Sequence, residues 1–266
     1  MWPVRYVVLA ATAAASFVIV LVAAALAPAD LRWPLVDGIV RACKVVGLFG
    51  CLVGALSFGF HQHLFRGWAL VAASYALLVL RDAVIYGHLI VDEGRRIEAG
   101  FVLSADVLGV LGAWMMARAW YVGGLELPGT RTTRRLVRAV AAAMAVSITL
   151  PAVWIHVPQL VTGPPHAIMG LANALADAIS ISLLAPVLLT ALALRGAAIA
   201  WPWALLTASL FGWLCYDATF SLSASHDSSG AFRALGEAFH ALACVGCGVA
   251  GIAQRLVVTS APQRRA

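Results

Sequence analysis

Eight apolar runs divide the chain, at residues 4–27, 35–59, 67–89, 100–121, 135–156, 168–194, 200–222 and 231–254. Each is long enough to cross the hydrocarbon core of a bilayer as a helix, which takes about 20 residues. Inside lipid a chain must satisfy its own backbone N–H and C=O groups, so it spans as helices or as a closed barrel. The runs exceed the length of barrel strands and lack an alternation of period two. The expected fold class is therefore an all-α integral membrane protein with eight transmembrane helices. Composition agrees: 62% of residues are hydrophobic and 11% charged, whereas about a quarter of a soluble domain is charged.

The net charge of +6 does not point to nucleic acid, because most arginines lie in short connections between apolar runs, where they set orientation. Arg131, Arg134, Arg135 and Arg138 cluster between the fourth and fifth runs, and the connection 157–166 holds no Lys or Arg. Arg5 precedes the first run, and Arg255, Arg264 and Arg265 follow the last. An even number of spans with both ends cytoplasmic satisfies these positions, as in a bacterial inner membrane. Arg95 and Arg96 fall on the outer side and dissent, beside Asp92, Glu93 and Glu98. Trp2, Trp33, Trp120, Trp154, Trp201 and Trp203 lie near run ends, where an aromatic belt is expected. Arg5, an apolar run and Ala25-Leu26-Ala27 before Pro28 have the outline of a signal peptide. The run is longer than a signal core of about 7–15 residues, so it is expected to stay as the first span.

The third and seventh runs repeat each other. Trp68, Ala69, Leu70, Ala73, Ser74, Asp82 and Ala83 return 135 positions later as Trp203, Ala204, Leu205, Ala208, Ser209, Asp217 and Ala218. Leu35–Phe58 aligns with Leu171–Leu194 at an offset of 136. The expectation is a duplicated four-helix unit, residues 1–122 and 135–256, joined by a basic linker at 123–134 and followed by a tail at 257–266. Four spans per copy give both copies the same orientation, a parallel repeat about a pseudo-twofold axis along the membrane normal.

Charged side chains within a span are costly and tend to face a bundle interior with a partner or a task. With the ends inside, Asp37, Arg41, Lys44, Arg81, Asp82, Asp106, Asn173, Asp177, Tyr216, Asp217, Glu237 and His240 all fall in the outer halves of the spans. They suggest a pocket open to the outer side. Asp37, Arg41 and Lys44 share one helix face, Asn173, Asp177 and Ser180 another, and Glu237 and His240 a third. In the first half Asp37, Asp82 and Asp106 balance Arg41, Lys44 and Arg81. In the second half Asp177, Asp217 and Glu237 have only His240 and Tyr216 beside them, so they must hold protons or bind a cation.

Several residues have plainer readings. Asp82 and Asp217 can serve as helix-to-helix hydrogen bonders at equivalent positions. Arg41 and Lys44 suit a structural ion pair, with an anionic head group as the rival. Cys244 and Cys247 form a CxxC that is better read as packing, as is the GxxxG of Gly50 and Gly54. His156 and His166 flank an outer loop, and His61 and His63 sit at the inner interface. No nucleotide loop, HExxH or GxSxG occurs.

With a lysine in the second span (Lys44-Val45) and aspartates ending the third (Arg81-Asp82) and seventh (Tyr216-Asp217), the layout is similar in outline to the lysoplasmalogenase-type membrane family. That family has Lys-Pro and Gly-Asp at the first two of these places. The resemblance implies a lipid hydrolase with Asp82 and Asp217 as catalytic acid and base and Arg41 and Lys44 on a phosphate. Copper-resistance membrane proteins are similar in span number and outer histidines. The residues themselves suggest a protein that binds a small cationic ligand, metal ion or proton for transport or sensing. Its ligand-binding set would be Asp177, Asp217, Glu237, His240, Tyr216, Asn173, Arg41 and Lys44, with Asp177, Asp217, Glu237 and His240 as metal ligands. A third reading is a helical scaffold or partner subunit, working in an oligomer. The bilayer is the expected partner, with a small molecule or lipid as ligand, and nucleic acid is not.

Overall fold

The computed structural model describes residues 4–86, 94–123, 130–160, 165–193, 198–226 and 230–260. These form α1 (Val4–Leu26), α2 (Arg32–Ala55), α3 (His63–Tyr86), α4 (Gly94–Val122), α5 (Arg131–Gln159), α6 (Pro165–Ala193), α7 (Ala200–His226) and α8 (Ala231–Ser260). No strand occurs among the described residues. The helices α4, α5 and α8 run beyond the apolar stretches that seed them, because a helix satisfies its backbone without needing lipid around it. Thr130 caps α5, its Oγ1 accepting from the Thr133 amide at 3.2 Å.

Among the described residues, six helices are long and apolar enough to cross a membrane: α1, α2, α3, α4, α6 and α8. The chain is accordingly a helical protein of integral-membrane character. The helices α5 and α7 fall outside that set. The first carries Arg131, Arg134, Arg135 and Arg138 in its opening turns, and the second is interrupted by tryptophans, a proline and Asp217.

The bundle is built around α8, which packs on α1, α2 and α7. It has 67% of its apolar window buried, against 22–44% for the other five candidate spans. Small residues allow this. A Cβ at Gly50 would overlap the backbone of Gly248, and one at Gly248 would stand 2.7 Å from the Val46 carbonyl. The two backbones therefore touch where α2 crosses α8, the close approach that small residues permit between spans. Gly50 and Gly54 of the GxxxG both lie in this seam, with Cys51 Sγ 3.4 Å from Cys247 Sγ. All five cysteines are free thiols.

Consecutive helices pack together in each half, as α1·α2, α2·α3 and α3·α4 and as α5·α6, α6·α7 and α7·α8. The halves meet through α2·α8 and α4·α6. Moving four helices along the chain converts each of these pairs into another of the set. The contacts α1·α8 and α5·α7 have no counterpart of similar extent. Two tryptophans expected in an interfacial belt are instead interior: Trp120 and Trp203 are buried and meet edge-to-face at 5.2 Å. Their surface is worth more packed between α4 and α7 than at a lipid boundary, since such ring pairs add to area burial.

Candidate functional site

A cavity of about 450 Å³ lies between α3, α4, α6 and α7. Lys44 of α2 and His240 and Cys247 of α8 form its back, and Ile155, His156 and Gln159 of α5 cover one end. Helical spacing selects the lining. Leu206, Ser209, Leu210, Trp213, Tyr216, Asp217 and Phe220 recur at three- and four-residue steps and make one face of α7. Ser74, Tyr75, Leu78 and Arg81 do the same on α3. The polar lining near Arg81, Glu98, His156 and Gln159 lies toward the face that carries the α3–α4 and α5–α6 connections.

The acids form one group on α4, α6 and α7. Asp106 and Asp177 each stand twelve residues into their helix, about 18 Å along the axis. Asn173, one turn before Asp177, bridges the two helices. With its amide oriented to suit both neighbours, it donates to Asp106 Oδ2 at 2.6 Å and to the Met169 carbonyl at 3.1 Å. The Asp177 and Asp217 side chains share a hydrogen bond, and Asp106 is the further charged neighbour of both. A hydrogen bond between two carboxyls requires a proton between them. Among the described residues, Asp217 Oδ2 is buried without a hydrogen-bond partner. None of α4, α6 and α7 contributes a Lys or Arg to the lining.

A second group is closed upon itself. Asp82 is 6% exposed and takes Lys44 Nζ on Oδ2 at 2.6 Å. Its Oδ1 accepts from Arg81 Nε at 2.9 Å and Nη2 at 2.6 Å. Both oxygens are met by cations, as burial of a carboxylate demands. Lys44 and Arg81 line the cavity, and Asp82 does not.

A third group joins α8 to the aromatic wall. Glu237 Oε2 pairs with His240 Nδ1 at 3.2 Å. The His240 ring lies 4.5 Å from that of Tyr216 and 4.7 Å from that of Trp213, between centroids. Its Nε2 has no hydrogen-bond partner among the described residues. Trp213 Nε1 donates to Tyr75 Oη at 3.3 Å, and Tyr75 Oη and Ser209 Oγ both donate to the Ala243 carbonyl, at 3.4 and 2.6 Å. These bonds tie α3 and α7 to α8 behind the cavity.

The residues singled out from the sequence are thus distributed differently from their division by halves. Asp106, grouped with the first-half charges, stands with Asp177 and Asp217 instead, because α4 packs on α6. Glu237 turns to His240 and does not line the cavity. Asp37 lies 3.7 Å from Arg233, whose guanidinium sits over Trp33, and neither Asp37 nor Arg41 reaches the lining. Among the described residues no three His, Cys, Asp and Glu side chains are gathered so as to hold a metal ion. Arg95, Arg96 and His166 have side chains outside the described residues. Sequence reasoning passed over Tyr75 and Trp213. Their signal was spacing: Ser209, Trp213 and Tyr216 fall at i, i+4 and i+7 on the face that ends in Asp217.

The fold and cavity define a helical membrane-type protein with a polar interior. In comparisons with known proteins, the chain matches no family model, no curated protein and no solved structure.

Proposed function

We propose that this chain is an eight-span protein made of two four-helix copies, and that its cavity binds a small organic cation for transport or sensing. The carrying observation is the wall formed by Asp106, Asp177 and Asp217, gathered on three helices that add no basic residue to the lining. Carboxyls in a low-dielectric site favour a positive guest or shared protons. The cavity has room for a guest of several heavy atoms, and Trp213, Tyr216 and Phe220 offer ring faces to a cation. The matched packing pairs α2·α8 and α4·α6 support the duplication. The arginine distribution supports both ends being cytoplasmic, so that the cavity faces outward.

This reading is favoured over the two rivals by specific geometry. Paired-aspartate hydrolysis needs Asp82 and Asp217 at one reacting centre, and Asp82 is enclosed by Lys44 and Arg81 behind the cavity wall. A metal would need Glu237 and His240 beside Asp177 and Asp217, and Glu237 is not on that wall. The test is thermal unfolding of the detergent-solubilised protein with benzylammonium or benzyltrimethylammonium against neutral benzyl alcohol. At least one cation should raise the melting temperature more than the alcohol does, and Asp217→Asn should remove the excess. Equal shifts from cations and alcohol contradict the proposal.

A further inference from the structure

Among the described residues, Asp217 Oδ2 and His240 Nε2 of the cavity wall meet no hydrogen-bond partner. Both residues line the same cavity, and His240 is only 5% exposed. A buried polar atom left unsatisfied carries its full desolvation penalty, so such atoms are normally met by something. What meets them is constrained by their chemistry. With the proton of the shared bond on Asp177, Asp217 is the accepting partner, and a carboxylate oxygen only accepts hydrogen bonds. The imidazole follows from its other contact: Glu237 Oε2 accepts from Nδ1, so the ring proton sits on Nδ1 and the neutral ring leaves a lone pair on Nε2. Both unmet atoms are therefore acceptors, and both ask for N–H or O–H donors.

Tyr216 neighbours both residues, one by sequence and the other by packing. It precedes Asp217 on α7 and lies ring against ring with His240 at 4.5 Å, while Trp213 takes the other contact at 4.7 Å. His240 thus stands within an aromatic surface of the wall that is continued by Phe220, 5.9 Å from Tyr216.

We infer that the cation this cavity recognises is a protonated primary or secondary amine, held by N–H bonds to Asp217 Oδ2 and His240 Nε2 and covered by Tyr216 and Trp213. The inference rests on the cationic-ligand reading and narrows it. An aromatic surface alone would suit a quaternary ammonium, the usual guest of aromatic cages. A quaternary ammonium has no N–H, so it leaves both acceptors buried and unmet. Sites that hydrogen-bond their ligand reject analogues lacking the donor, for that reason.

A ladder of ligands with one skeleton tests this on the full-length protein in detergent. Benzylammonium has three N–H bonds, dimethylbenzylammonium one and benzyltrimethylammonium none, and benzyl alcohol is the neutral control. Affinities by titration calorimetry should fall along the ladder, with the trimethyl compound at least tenfold weaker than benzylammonium. His240→Phe, which keeps a ring and removes Nε2, should compress that difference. Should that variant fail to fold, the wild-type ladder alone decides. If the trimethyl compound binds as tightly as benzylammonium or more tightly, the donor requirement is wrong and the cationic pocket stands. If no cation binds better than benzyl alcohol, both readings fall and solvent alone meets the two acceptors.

Discussion

Asp82 and Asp217 occupy matching places in the third and seventh helices, and their surroundings are opposite. Asp82 has a lysine on one oxygen and an arginine on the other, and is sealed from the cavity. Asp217 has another aspartate beside it and an oxygen with no partner, and lines the cavity. The difference comes from the neighbours. Where α2 offers Lys44, the aligned position of α6 is Ser180, and where α2 has Arg41, α6 has Asp177. Asp82 is a neutralised carboxylate that holds helices together. Asp217 stands among carboxyls whose helices add no basic residue to the cavity, the surroundings on which the proposed cation site rests.

The comparison sharpens most under Asp82→Ala. That change leaves Lys44 and Arg81 buried without their counter-ion, and one-sided removal of a buried ion pair costs about 3–5 kcal/mol. Unfolding in mixed detergent should register a loss of that size. A change below ~1 kcal/mol would mean that Asp82 is not the lock described. Next is Gly50→Val, which forces α2 away from Gly248 and carries the Lys44 wall with it. Overpacking of this kind costs about 1–3 kcal/mol, and it should lower the melting temperature more than the same change at Gly38, beside which a Cβ would meet nothing.

Asp217→Asn should invert the pattern seen at Asp82. Stability should move by less than ~1 kcal/mol, because an amide can still hydrogen-bond Asp177. Affinity for the best-binding benzyl cation should fall at least tenfold, about 1.4 kcal/mol. The smallest effect belongs to Ser209→Ala, which deletes one bond to the Ala243 carbonyl, worth about 0.5–1.5 kcal/mol. Because Tyr75 also reaches that carbonyl, cation affinity should stay within about threefold of wild type. A larger loss of binding would draw the α7–α8 tether into the site itself.

The helical class was legible from apolar run length alone, since lipid leaves the backbone few choices. The α2·α8 crossing was half-legible: Gly50 and Gly54 announced a close approach, but nothing in the sequence named Gly248 as the other side. The polar lining of the cavity was legible by residue and not by grouping. Asp177 and Asp217 were singled out together, and they do share a hydrogen bond. Asp106 was assigned to the wrong neighbours because grouping by halves assumes that each half of the chain packs within itself, whereas α4 packs on α6 across the two halves. Glu237 was counted with the aspartates because helix rotation cannot be read from a single helix. The i, i+3 spacing to His240 gave the true partner. Trp120 and Trp203 do stand near helix ends, but the sequence does not tell a ring that faces lipid from one that faces a neighbouring helix.

The central claim is that one aspartate of the pair maintains the fold and the other serves the ligand. The most direct measurement takes wild type, Asp82→Ala and Asp217→Asn together through thermal unfolding, each with and without the cation that stabilises wild type best and with benzyl alcohol as control. The account expects Asp82→Ala to melt lower and to keep the cation-specific shift. It expects Asp217→Asn to melt near wild type and to lose that shift. Equal losses of melting temperature in both variants, with the same cation response in each, would contradict it.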